Sequence, residues 1–296
     1  MKGCSLCPRK CGADRDNGRK GYCGESNTLR VARTSLHQWE EPCITGEYGS
    51  GTVFFSGCGL KCVFCQNHNI ADSQVGMEFT IEELADAFLR LQEKKAANIN
   101  LVTAGHFVNS LVPVIQRAKE KGLVIPIVYN TSGYESVETL QRLKGLIDIY
   151  LPDCKFYDSD IAEKYAKAPD YFRVAGAAIE EMVAQVGEPI FDEESGTLKK
   201  GVIVRHLILP GHTKDSREII KYLYERYGNT IYISILNQYT PMNLWEEYPN
   251  LNRKVTKREY EKVLDYAISI GVEQAFFQEG ETADSSFIPK FDCSFV

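Results

Sequence analysis

The chain has 296 residues, 44% hydrophobic and 25% charged, with a formal net charge of −6. That suffices for one large α/β domain or two smaller ones around a sizeable core. The acidic balance gives no field for neutralising phosphates, so no nucleic-acid partner is expected. No apolar run reaches the roughly 20 residues that cross a bilayer, and the opening Met1-Lys2-Gly3-Cys4 carries no apolar export segment. A cytoplasmic protein without a membrane partner is the expectation.

Ten cysteines are the unusual feature, and Cys4, Cys7, Cys11, Cys23, Cys58, Cys62 and Cys65 crowd the first 65 residues. In a reducing compartment such clusters hold metal rather than disulfides. Residues 1–50 read as an irregular head, rich in glycine, cysteine and charge, with no sustained period. The spacing Cys4-x2-Cys7-x3-Cys11-x11-Cys23 supplies four thiolates, a full set for zinc or for a [4Fe–4S] cluster. A segment with so little apolar surface needs such a staple to fold. The head is then an electron relay, a docking module or a structural staple.

From 51 to 296 apolar runs alternate with amphipathic helices. Strands are predicted over 52–55, 99–102, 125–129, 147–151, 202–209, 231–236 and 274–277, near-continuously apolar as in a parallel sheet covered by helices. Thr80-Ile81-Glu82-Glu83 and Thr256-Lys257-Arg258-Glu259 are capping boxes, and Gly122 and Gly228 fall where helices end. Residues 187–200 read as a hairpin or a surface loop. The alternation implies βα units with right-handed crossovers, hence a partial or whole (β/α) barrel with its chemistry at the C-terminal ends of the strands.

The first of those strands runs into Cys58-Gly59-Leu60-Lys61-Cys62-Val63-Phe64-Cys65. A structural zinc site closes with four protein ligands, whereas three thiolates can hold three irons of a [4Fe–4S] cube and leave the fourth open. The alternatives are zinc or an electron-transfer cluster completed by Cys43 or Cys154. Otherwise Cys43, Cys154 and Cys293 are expected to be small buried side chains.

This C-x3-C-x2-C spacing, with Phe64 before the third cysteine, resembles the signature of radical S-adenosylmethionine (SAM) enzymes. The resemblance implies a partial parallel (β/α)6-type barrel following the metal-binding head. It also implies a cluster on Cys58, Cys62 and Cys65 whose open iron binds SAM, with Phe64 near the adenine. One electron then cleaves SAM to methionine and a 5′-deoxyadenosyl radical that abstracts a hydrogen atom. An electron donor such as flavodoxin or ferredoxin is implied too.

Residues 57–67, Asp153-Cys154-Lys155 and Val204-Arg205-His206-Leu207-Ile208-Leu209-Pro210-Gly211 are similar to motifs of the activating enzymes of glycyl-radical enzymes, the pyruvate formate-lyase activase branch. That implies a glycine of a partner protein as substrate, with another peptide or a small molecule as the alternative. A non-catalytic iron–sulfur or zinc protein is the reading from another class. The family's Gly-Gly-Glu motif is replaced by Thr103-Ala104-Gly105-His106, leaving the SAM amino group to Thr103 or to backbone carbonyls. Asn130 and Ser132 are placed for a ribose or substrate, or for a turn. Asp153, Lys155 and Arg205 are expected at the cofactor, the two cations on the SAM carboxylate unless Asp153 pairs with them. His106, His206 and His212 are candidate proton donors or plain hydrogen-bonding residues. Asn237-Gln238-Tyr239 and Gln278-Glu279 point to the rim.

Overall fold

The computed structural model describes residues 3–278, 289 and 291–296. Strand β1 is Leu29–His37, followed by helix α1, Pro42–Thr45, and strand β2, Ser50–Phe55. Next come α2 (His68–Ala71), β3 (Met77–Phe79), α3 (Ile81–Glu93), β4 (Ile99–Val102), α4 (Val108–Glu120), β5 (Ile127–Thr131), α5 (Val137–Gln141) and β6 (Ile149–Pro152). Then α6 (Ser159–Ala166), α7 (Tyr171–Val186), β7 (Ile190–Phe191), β8 (Leu198–Leu207), α8 (Thr213–Tyr227), β9 (Tyr232–Leu236), α9 (Lys257–Ser269) and β10 (Ala275–Phe277) complete the order.

The sheet runs β10-β9-β8-β6-β5-β4-β2-β1-β3. From β2 to β10 every neighbour on that path is parallel, as continuous apolar runs joined by helices require. The path ends on β3 and β10, so the barrel is partial and not closed. Both capping boxes form, Thr80 with Glu83 and Thr256 with Glu259, starting α3 and α9. Gly228 caps α8, and residues 187–200 are a hairpin in which β7 pairs antiparallel with β8. Observed strands differ from the expected ones by a few residues: β5 and β6 each start two later, and β8 starts at Leu198 because the hairpin extends it.

One expectation is corrected. The head is not irregular throughout, because β1 occupies nine of its residues and pairs antiparallel with β2 and β3. A shift of register between Val31 and Arg33 places Val31 and Ala32 both inside, and this breaks the period-two pattern.

The main core lies between the sheet and its helices, with Phe55, Leu101, Tyr129, Tyr150 and Val204 meeting Phe88, Leu111, Ile179 and Ile220. A second cluster of Leu60, Phe64, Tyr134, Phe156, Tyr165, Tyr171 and Tyr239 fills the space beside the cysteine loop. The C-terminal residues return to β1, where Thr34 N donates to Ser294 O at 3.1 Å and Val296 N to Thr34 Oγ1 at 2.9 Å. Among the described residues no helix is long and apolar enough to cross a membrane.

Candidate active site

β2 delivers Cys58, Cys62 and Cys65 to the rim formed by the C-terminal ends of the parallel strands. Gly57 makes the entry possible: at φ +84 a Cβ would lie 2.7 Å from Cys23 O and 2.6 Å from Glu25 Cγ. The loop is then fixed by its backbone, with Cys58 N donating to Cys23 O (3.2 Å), Cys65 N to Cys62 O (3.1 Å) and Val63 N to Tyr165 O (2.9 Å). All three cysteines line one cavity of about 410 Å³. Burial pushes the Cys65 thiol up to about 12 and Cys62 higher still, with the Lys155 charge acting the other way. A positively charged iron cluster is the kind of partner that draws such thiols into the ligating thiolate form.

The same cavity is lined by all seven expected cofactor residues: Phe64, Thr103, Asn130, Ser132, Asp153, Lys155 and Arg205. Phe64 stands edge-on to Phe156 (6.0 Å), Tyr165 (6.3 Å) and Tyr239 (6.2 Å), so its ring has one fixed attitude. Thr103 has φ +58, an unusual conformation for a β-branched residue, and its N–H donates to Asn130 O at 2.9 Å. Ser132 is positioned through its carbonyl, which accepts from Tyr171 Oη at 2.7 Å.

The two cations have protein partners. Lys155 Nζ lies 2.7 Å from Asp153 Oδ2. Burial disfavours the Lys155 charge, yet Asp153 and the neighbouring cysteines outweigh it and hold the ammonium above its ordinary range. Arg205 lines the cavity and has acidic partners from the head side of the chain. It bonds Glu41 through Nε at 2.9 Å and both Glu40 and Glu41 through Nη2. Against burial, these carboxylates hold its charge firmly, and Arg205 in turn pulls Glu41 below the ordinary carboxylate range. Glu40 also accepts from Asn100 Nδ2 at 2.9 Å.

His106, His206 and His212 each have a hydrogen-bond partner within the protein. Burial holds His106 down at about 3 and His206 at about 4, with His106 Nε2 2.7 Å from Ser56 O and His206 Nδ1 2.7 Å from Cys154 O. His212 Nε2 meets Tyr165 Oη at 3.0 Å. At the rim, Gln278 Nε2 donates to Gln238 Oε1 (3.1 Å) and Gln66 Nε2 to Gln238 O (3.0 Å). Tyr239 is turned inward, its hydroxyl on Leu251 O at 2.7 Å, and Glu279 lies outside the described residues. Cys43 and Cys154 are buried as expected, whereas Cys293 is half-exposed because the C-terminal segment lies on the surface of β1.

The head packs directly on this loop. Arg9 Nε donates to Gly59 O (2.9 Å) and its Nη2 to Leu60 O (3.2 Å) and Ala166 O (2.7 Å), with the guanidinium stacked on Tyr22 and Tyr134. Buried Arg15 reaches His106 O at 2.6 Å. Leu6 O accepts from Ser136 Oγ and Thr139 Oγ1 at the start of α5. Gly21 leaves a cradle beside two head thiols: a Cβ there would meet Cys11 Sγ at 3.1 Å and Cys23 Sγ at 3.7 Å. Among the described residues no three His, Cys, Asp or Glu side chains stand close enough to hold a single metal ion. The fit of the head to a metal therefore rests on its four-thiol donor set and on that cradle.

Residues 52–223 match the family model described as the Radical SAM superfamily. The chain belongs to the radical SAM superfamily. It is 31% identical over 277 residues to an uncharacterized protein of Methanocaldococcus jannaschii, covering 90% of this chain and 75% of that one. It is 29% identical over 199 residues to the pyruvate formate-lyase-activating enzyme of Clostridium pasteurianum, covering 64% of this chain and 74% of that enzyme. Among solved structures it resembles HydG, a maturase of the [FeFe]-hydrogenase, with a TM-score of 0.52 and 16% identity. That likeness is one of fold, spanning 75% of this chain and half (50%) of HydG.

Membership makes the chain a radical SAM enzyme, and the superfamily implies a [4Fe–4S] cluster and SAM. Cys58, Cys62 and Cys65 would hold the cluster: they are three thiols on one loop, facing a cavity able to admit a ligand. Sequence reasoning missed Glu40 and Glu41, whose partner Arg205 is 165 and 164 residues away along the chain. It also missed Glu135, buried against Gly105 and accepting from Thr131 Oγ1 at 2.5 Å. Burial pushes Glu135 up to about 7, and no local pattern announces it.

Proposed function

We propose that this protein is an activase-like radical SAM enzyme that abstracts a hydrogen atom from a glycine of a partner protein. The carrying observation is that Cys58, Cys62 and Cys65 share one cavity with the Asp153–Lys155 pair and with Phe64. The similarity to a pyruvate formate-lyase-activating enzyme supports the substrate class. When bound, the cluster supplies the electron that cleaves SAM reductively, and the radical so formed takes the substrate hydrogen.

The chain's own residues position and exclude. Lys155, held beside Asp153, offers the SAM carboxylate a cation without an unpaired charge being buried. Asn130, Ser132 and the strained Thr103 turn present polar atoms to the rest of SAM. Phe64 and the aromatic cluster behind it keep water from one wall, which protects a reactive radical. Arg205 sets the floor through Glu40 and Glu41 and reaches SAM only indirectly. The head is a Cys4 module holding a second [4Fe–4S] cluster on Cys4, Cys7, Cys11 and Cys23, with zinc as the rival occupant. None of the ten cysteines is paired in a disulfide, so all seven of the first 65 residues are available as ligands. The loss of the acidic residue at 103–106 favours a second reading, a different peptide or a small molecule as substrate.

The test is anaerobic reconstitution with iron and sulfide, then dithionite and SAM, with 5′-deoxyadenosine measured by chromatography. Wild type should form it and the Cys58/Cys62/Cys65→Ala variant should not. About eight irons in the first and about four in the second place a cluster on the head. A glycyl radical on an added glycyl-radical protein, seen by electron paramagnetic resonance (EPR), tests the substrate. A fully loaded wild type that never cleaves SAM sinks the enzymatic reading.

A further inference from the structure

Glu135 is a buried carboxylate, 7% exposed, that the reaction as derived above does not use. It stands four residues past the end of β5, where Asn130, Thr131 and Ser132 line the cavity. The Thr131 hydroxyl donates to Glu135 Oε1 at 2.5 Å. Successive side chains of an extended segment face opposite ways, so a hold on the Thr131 side chain fixes the opposite attitude of Asn130 and Ser132. The same carboxyl group meets the turn after β4. A Cβ on Gly105 would lie 2.6 Å from Glu135 Oε1 and 2.8 Å from its Cδ, so glycine is what lets the group seat against that turn. Two residues earlier Thr103 lines the cavity at φ +58, and such a conformation persists only where its surroundings hold it. The two turns are therefore joined twice, by Thr103 N–H on Asn130 O at 2.9 Å and by the Glu135 carboxyl group. Glu135 is itself anchored, its N–H on Gly133 O at 2.9 Å and the next side chain, Ser136 Oγ, on Leu6 O at 3.0 Å.

We propose that Glu135 is a positioning residue for SAM, a buttress that joins the turns after β4 and β5 and so sets Thr103, Asn130 and Ser132 against the bound cofactor. It touches no reacting atom and acts only through those turns. The inference rests on SAM occupying the cavity that holds the three cysteines. Burial pushes the carboxyl group up to about 7, so near neutral pH the contact calls for an oxygen acceptor of this length rather than for a full charge.

Equilibrium dialysis of SAM against the reconstituted protein reads affinity and number of sites together, for the parent and for E135A, E135Q, T131V and E135A/T131V. E135A should raise Kd about tenfold with iron content and site number kept, and E135Q should stay within about twofold of the parent. T131V should raise Kd about threefold and add nothing to E135A in the double variant, because both remove the same contact. Chains that merely misfold lower the number of sites and leave Kd alone. At saturating SAM, E135A should cleave it at close to the parental rate, the pattern of a lost binding contact. A parental Kd in E135A overturns the buttress, as do effects of T131V and E135A that multiply. E135Q as weak as E135A overturns the acceptor role. Should E135A fail to fold, a parental Kd in T131V overturns the proposal in its place. A parent that binds no SAM overturns the inference together with the reading of the cavity beneath it, an outcome distinct from the others.

Discussion

Replacing Arg205 by methionine separates a structural cation from a cofactor-binding one. Its side chain is 14% exposed, against 7% for Glu40 and 5% for Glu41, so removal leaves two carboxylates facing each other out of water. Breaking a buried ion pair by deleting one partner costs about 3–5 kcal/mol, because the remaining charge is uncompensated. For a chain of this size that is a fall in Tm of about 5–8 °C. The compensated variant R205M/E40Q/E41Q removes the whole triad and should recover most of the loss, since apolar or neutral replacement of buried ions is often neutral. Thermal unfolding followed by circular dichroism under argon reads both. SAM affinity, measured by equilibrium dialysis on reconstituted protein, should be close to parental in the compensated variant. A folded triple variant that has lost SAM about tenfold or more would place Arg205 on the SAM carboxylate, refuting its structural role. So would an unchanged Tm in the single variant.

Three further outcomes follow from the geometry. Gly133→Ala should destabilise by about 3 kcal/mol or abolish folding, since at φ +76 its Cβ would sit 2.1 Å from Asp153 O; a normal melting curve would contradict this. His106 and His206 are held near about 3 and about 4, below the unfolded value near 6.5, so stability is lost as pH falls through about 6.5. At pH 5 each costs about 2 kcal/mol; His106→Gln and His206→Gln should each remove that share of the acid slope in urea titrations, read as parent minus variant. Arg9→Ala frees the carbonyls of Gly59 and Leu60 and should cost about 2 kcal/mol. Iron on the catalytic loop should then be lost several-fold faster to a chelator, with Arg9→Lys unable to restore retention because an ammonium cannot fork between two carbonyls.

What the sequence disclosed was local, and what it hid was long-range. The C-x3-C-x2-C loop, both capping boxes and the parallel strands are each written within a dozen residues, so spacing and period sufficed to place them. β1 escaped because its bulge at Val31–Arg33 puts two successive residues inside and so breaks the strand's alternation. The Arg205 triad escaped for a different reason: Glu40-Glu41 and Val204-Arg205 are unremarkable dipeptides until the sheet brings the strands together. A buried arginine at a strand end asks for an anion, and the sequence offers the SAM carboxylate or the nearby Asp153. The fold supplies another from the head side of the chain. The same holds for Arg9, which becomes the clamp between the head and Gly59-Leu60. Both contacts have one physical meaning. The segment before residue 50 contributes a strand to the sheet, two carboxylates to the cavity floor and hydrogen bonds to the cluster loop. Loss of order in the head should therefore reach the catalytic cysteines without any change in the barrel's own sequence.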